Sequence, residues 1–145
     1  MARRSVARYR VKTASITHSI TLLSGGNQQK VVLAATMEQG ADVVVIEEPT
    51  RGVDIASKVD IYELLRAYAD SGRSVVVFCT EVHEIFCVAD DVIVMSRGRI
   101  VGQVDMFQIE DIPTLADCLA RYESTEAAAP HRVATMHSAA ARIES

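Results

Sequence analysis

Two apolar runs of strand length limit the possible folds more than any other feature. Val43-Val44-Val45-Ile46 and Val75-Val76-Val77-Phe78-Cys79 are rich in β-branched residues, lack polar alternation, and are separated by a helical pattern. A run without alternation suits a parallel strand covered on both faces. The intervening helix is expected to start behind Asp54 as its cap and to reach about Ser71, with Gly72 just beyond. Ile55, Val59, Tyr62, Leu65 and Ala69 follow helical spacing and are its expected core positions. Upstream, Ser24-Gly25-Gly26-Asn27 reads as a turn and Gln28 to Gln39 as a helix burying Val31, Val32, Ala35 and Met37, ended by Gly40.

Downstream, a short helix is expected from about Val82 to Val88, and a strand at Asp91 to Met95. Ser96-Arg97-Gly98-Arg99 is a hairpin turn, followed by a strand at Ile100 to Val104. Pro113 suits the first turn of a last helix with one apolar stripe of Leu115, Cys118, Leu119 and Tyr122. The alternation predicts an α/β fold, with a mostly parallel sheet, helices on both faces and a C-terminal β-hairpin. Residues 123–145 are rich in Ala, Ser and Thr, and are expected to form a weakly ordered tail with at most a loose helix.

Charge and composition narrow the functions. The 145 residues carry a net charge of -4, and only 5% are aromatic. A general basic field for nucleic acid and stacking platforms for bases are both poorly supplied. Residues 1–12 form a basic arm with five basic residues and no acid (Arg3, Arg4, Arg8, Arg10, Lys12); removing that +5 leaves -9 for the rest. Such an arm could meet anionic lipid or phosphate. A solvated, fraying terminus is the expectation for so short a run. Its charges also interrupt any apolar signal segment, and no stretch approaches the length of a spanning helix. The three cysteines, Cys79, Cys87 and Cys118, form no CxxC pair, and the four histidines show no metal-ligand spacing. Reduced thiols in a cytoplasmic protein follow from this reading.

The octapeptide Leu23-Ser24-Gly25-Gly26-Asn27-Gln28-Gln29-Lys30 carries the strongest chemical signal. Ser24 can cap a helix, and two glycines let backbone approach a ligand closely. The N-terminus of such a helix directs N–H groups and a positive dipole end at phosphate oxygens. Ser-Gly-Gly alone would be only a capped helix after a turn. The whole octapeptide resembles the signature loop of the ABC transporter ATPases, in the form of bacterial monosaccharide importers (ribose, galactose and xylose types). Val43 to Glu48 resembles the family's Walker B strand. Glu48-Pro49-Thr50-Arg51-Gly52-Val53-Asp54 resembles the run that follows it, with Asp54 closing the D-loop. Phe78-Cys79-Thr80-Glu81 falls where the switch segment is expected, and Asp91 to Val104 resembles the closing strand and hairpin.

The resemblance implies that residues 13–105 are the C-terminal part of a cassette, the second of two fused cassettes, followed by a helix at 106–122. In the family, two cassettes dimerise head to tail, each ATP lying between one P-loop and the other cassette's signature loop. Ser24, Gly25, Gly26 and Gln28 would then contact an ATP carried by a partner cassette. Glu48 would be the general base for water, where an unrelated strand end would merely place a carboxylate in solvent. Thr80 stands at the switch position, where many relatives have His. Glu47 stands where Asp usually holds Mg²⁺; its extra methylene suits the strict octahedral geometry of Mg²⁺ less well.

The P-loop pattern G-x-x-x-x-G-K-[ST] is absent, since Gly25-Gly26 is followed by Asn-Gln-Gln-Lys with Lys30 inside a helix. The glutamine loop that touches the permease is absent too. The expectation is thus a truncated ATP-binding subunit of a sugar importer, unable to bind ATP alone, with exposed sheet edges and a place at the inner face of the cell membrane beside a permease. The alternative is a non-catalytic module or remnant that lends its signature loop to a complete cassette.

Overall fold

The computed structural model describes residues 2–124 and 131–136. Among the described residues five α-helices and five strands follow in the order α1 (Ala2–Arg8), α2 (Gly25–Met37), β1 (Val43–Glu47), α3 (Ile55–Asp70), β2 (Ser74–Phe78), α4 (Val82–Val88), β3 (Asp91–Ser96), β4 (Arg99–Asp105), α5 (Ile112–Ser124) and β5 (His131–Met136). The strands form one sheet in the order β1-β2-β5-β3-β4.

Only β1 and β2 pair in parallel, with Val44 opposite Val75 and Ile46 opposite Val77. β5 runs antiparallel to both β2 and β3, and β4 antiparallel to β3. The sheet is therefore mixed, not mostly parallel. The cause is β5, which inserts between two strands that point the same way. Residues 131–136 fall in the stretch expected to be a weakly ordered tail; the structure instead builds them into the middle of the sheet. Ala134 and Met136 are wholly buried there, and the Asp90 N–H donates to Thr135 O at 2.8 Å. An Ala/Thr-rich segment has little strand signal of its own, but two neighbouring strands with free edges supply its hydrogen-bond partners. The other tail residues lie outside the described ones.

Helices α3, α4 and α5 lie side by side and contact β2, β3, β4 and β5. Val44, Val75, Val77, Val92 and Val94 are buried, in step with the two-residue repeat of a strand. Val43 and Val45 alternate with them and are 56% and 62% exposed. Among the described residues β1 is thus covered on one face only, contrary to the expectation of two covered faces. It is also an edge strand, so exposed sheet edges and apolar surface are present as expected.

Two helices bury the expected positions only in part: Met37 of α2 and Leu65 and Ala69 of α3 are buried as expected, and Val31 and Tyr62 pack against the core. In α2 the core side carries Gly26, Asn27, Lys30, Leu33, Ala34 and Met37, while Val32 and Ala35 face solvent. In α3 Ile61, Leu65, Tyr68 and Ala69 are buried, and Ile55 and Val59 are exposed. The α5 stripe holds, with Leu115 and Leu119 buried and Cys118 and Tyr122 packed against the core. The hairpin turn is as expected, with Arg97 and Gly98 both at positive φ.

The basic arm is not a fraying terminus. Residues 2–8 are helical, and Tyr9 and Val11 are buried in the core. Tyr9 and Val11 supply the apolar anchors that a charge count overlooks. The arm is also tied by charge: Arg10 pairs with Asp60 and Glu63, and Arg8 with Glu38.

Candidate functional site

The octapeptide Leu23–Lys30 forms the entry to α2. Ser24 has the extended backbone of a cap residue, and Gln28 N–H donates to Ser24 O at 2.9 Å. Its hydroxyl does not cap the backbone; it accepts from Asn27 Nδ2 at 2.7 Å. Asn27 Oδ1 in turn accepts from the Lys12 N–H at 2.7 Å, which joins the arm to the loop. Gln28 Nε2 donates to Leu23 O at 2.8 Å and braces the loop from within. Ser24 and Gly25 are exposed, so the helix N-terminus presents backbone donors and a positive dipole end to solvent.

Gly26 has a different surrounding from Ser24 and Gly25. It is buried, and a Cβ there would stand 2.5 Å from both Cβ and Oγ of Ser57, and 3.3 Å from Val53 Cγ1. Gly25 likewise lies beside Gly52, whose carbonyl oxygen is 3.8 Å from where a Cβ would be. The absence of a side chain at Gly26 thus lets the entry to α2 sit directly on the Val53–Ser57 segment. Asp54 caps α3 by accepting from Ser57 N–H at 2.9 Å, and that bond holds its carboxyl below the usual carboxylate range. Farther along the same helix pair, Lys30 is 1% exposed and donates to Asp60 Oδ2 at 2.8 Å and to Arg10 O at 3.1 Å. The Lys30 bond keeps the Asp60 carboxyl low as well.

The strand end is built differently. Glu47 follows Val43 and Val45 onto the exposed side of β1. Glu48 then leaves the strand with φ 45°, a left-handed backbone that non-glycine residues rarely adopt. Its N–H donates to Phe78 O at 2.8 Å, and its carbonyl accepts from Arg51 N–H at 3.2 Å. Thr80 Oγ1 donates to Glu48 Oε1 at 3.0 Å. The structure thus brings together Glu48 and Thr80, two residues singled out 32 positions apart.

Two other groups at this end went unnoticed in the sequence. Thr50 and Glu84 are 0% and 1% exposed, and Thr50 Oγ1 donates to Glu84 Oε1 at 2.9 Å. Burial pushes the Glu84 carboxyl up, against the Thr50 bond, which lowers it. Lys58 meanwhile pairs with Glu81 at 2.8 Å. A glutamate three residues after Glu81 inside the apolar pattern of α4 was the available signal for burial.

Metal holding is limited. Among the described residues no group of three or more His, Cys, Asp and Glu side chains could hold a metal ion. Glu47 is exposed and offers a single carboxylate, a donor set that suits Mg²⁺ only when phosphate and water oxygens complete the octahedron. Of the three cysteines, Cys79 is buried, Cys118 half-buried and Cys87 exposed. No described helix is long and apolar enough to cross a membrane.

No family model matches the chain. Curated proteins do. The arabinose import ATP-binding protein AraG of Rhizobium meliloti (strain 1021) is 40% identical over 134 residues, covering 92% of this chain and 26% of the relative. AraG of Ralstonia nicotianae is 47% identical over 104 residues, with 71% and 20% covered. The ribose import ATP-binding protein RbsA 3 of Rhizobium meliloti (strain 1021) is 45% identical over 95 residues, with 66% and 19% covered. The chain therefore spans about a quarter or less of the length of these relatives. With its signature octapeptide, its strand-end glutamates and this identity, the chain belongs to the ATP-binding proteins of ABC-type sugar importers and corresponds to their C-terminal portion.

Proposed function

We propose that the chain supplies the trans-acting elements of an ABC ATPase site, for ATP hydrolysis coupled to sugar import. The carrying observation is the α2 entry: Ser24 and Gly25 are exposed at a helix N-terminus that rests, through Gly26, on Val53 of the D-loop and Ser57 of α3. Backbone donors fixed this way can meet the γ-phosphate of an ATP held by a partner cassette, and the helix dipole stabilises charge that develops there. Gln28 holds the loop's shape through Leu23 O rather than reaching outward.

Glu48 is the general base of the cis site. Its carboxylate is oriented by Thr80, which replaces a histidine at the switch position and has no imidazole to titrate. Mg²⁺, when bound with the nucleotide, supplies charge neutralisation at the phosphates, and Glu47 would be this chain's ligand to it. The partner cassette would bring the P-loop, and a permease the sugar path; this reading sets the chain at the inner face of the membrane. Non-catalytic lending of the signature loop is the second reading. It is favoured by Thr80 and Glu47 standing where His and Asp are expected.

The test is titration of the purified chain into a cassette that carries its own P-loop. The expected result is no saturable ATP binding by the chain alone, and stimulation of the partner's hydrolysis that Ser24→Arg removes. Saturable binding at micromolar ATP without a partner would overturn the trans assignment.

A further inference from the structure

Glu84 is buried on α4, where its carboxyl accepts a side-chain hydrogen bond from Thr50. Burying a carboxyl this way is costly, and packing alone would favour an aliphatic side chain at the site. Its position points to another use. Thr50 lies two residues beyond Glu48, and Glu84 lies four residues beyond Thr80. The bonds Thr80–Glu48 and Thr50–Glu84 are therefore two ties between the same pair of chain segments. The first is exposed, and the second is wholly buried.

Glu48 needs such an anchor. Its left-handed backbone persists only where surrounding contacts over-determine it. The Phe78 carbonyl fixes its N–H, and the turn from Glu48 to Arg51 fixes its carbonyl. At the far end of that turn Val53 N–H donates to Thr50 O at 3.1 Å, and the Thr50 hydroxyl ties the segment to α4. Tyr62 on α3, Lys58, Glu81, Glu48 and Cys87 are the other titratable groups around the pair.

We propose that Glu84 is a positioning residue which, through Thr50, holds the Glu48 carboxylate against Thr80. The proposal rests on the reading of Glu48 as general base for its functional meaning. Its structural content is testable without nucleotide or partner, so the two can fail separately.

The experiment is a double-mutant cycle on the whole chain, read by the ¹³C chemical shift of the Glu48 side-chain carboxyl at neutral pH. Thr80→Val removes the hydroxyl bonded to Glu48 and should displace that resonance. In a Thr50→Val background, which keeps side-chain volume but loses the donor, the displacement should shrink by about threefold or more, because coupled residues are non-additive. In Glu84→Gln, which keeps an acceptor for Thr50, the displacement should be retained. Should Thr50→Val fail to fold, Glu84→Met removes the acceptor at similar volume and should give the same loss. A full-sized Thr80→Val displacement in folded Thr50→Val or Glu84→Met protein would overturn the proposal.

Discussion

Gly26→Ala isolates the contact that joins the entry of α2 to the first turn of α3. The new Cβ would stand 2.5 Å from Ser57 Cβ, an atom fixed to the α3 backbone. Carbon atoms pack at about 3.5–4.0 Å, so α2 must move by about 1 Å or more. It is not free to do so, because Lys30 ties the same helix to Asp60 and to the Arg10 carbonyl. Overpacking of this kind costs about 1–3 kcal/mol. Replacing a helical glycine by alanine returns up to about 1 kcal/mol, leaving a net loss of up to about 2 kcal/mol where the full return is realised. Gly25→Ala is the internal control. Its Cβ would meet only the Gly52 carbonyl at 3.8 Å, an ordinary contact, so this variant should be neutral or slightly stabilising. Urea unfolding followed by circular dichroism measures both. The Ser57→Gly background removes the clashing Cβ, and the cycle should show a coupling of about 1 kcal/mol or more in the rescuing direction. Equal stability of Gly26→Ala and Gly25→Ala, or no coupling to Ser57, would refute the steric argument.

Other consequences can be measured on the same chain. Lys30→Met should cost about 1–3 kcal/mol by removing the buried donor to Asp60 and to the Arg10 carbonyl, leaving Asp60 only its Arg10 pair, and Asp60→Asn in that background should recover part of it in urea melts. Gly102→Val should destabilise by about 1–3 kcal/mol, since a Cβ there would fall 2.4 Å from the Tyr122 ring; Tyr122→Ala should remove most of that penalty. Glu84 has a folded pKa raised by burial, so its charged form opposes folding. Stability therefore falls as pH rises from the ordinary glutamate value of about 4.3 through the raised folded value, and is free of the penalty below both. Glu84→Gln should flatten that part of a Tm-against-pH curve; an unchanged slope would show that the burial penalty lies elsewhere.

The elements themselves were legible because their signals are local. Asp54 caps α3 through a bond three residues long, Gly98 turns the β3–β4 hairpin, and Leu115 and Leu119 share a face by helical spacing alone. The octapeptide was legible for a similar reason: loop and helix start are contiguous in the chain. Burial on α2 and α3 was less so. Val32 and Ile55 are apolar yet exposed, while Lys30 is charged yet buried, because a partner 30 residues away satisfies its charge.

By itself, then, the sequence determined the order of helices and strands from α2 to α5 and the family to which the chain belongs. Tertiary structure alone decided the direction of the sheet, through the insertion of residues 131–136 between β2 and β3. It also decided that Tyr9 and Val11 anchor the basic arm, that Gly26 serves contact with Ser57, and that Thr50 and Glu84 stand behind Glu48. Each of these depends on a partner far away in the chain. Local spacing encodes period and capping, but a buried hydrogen bond or a close backbone approach exists only once two distant segments have met.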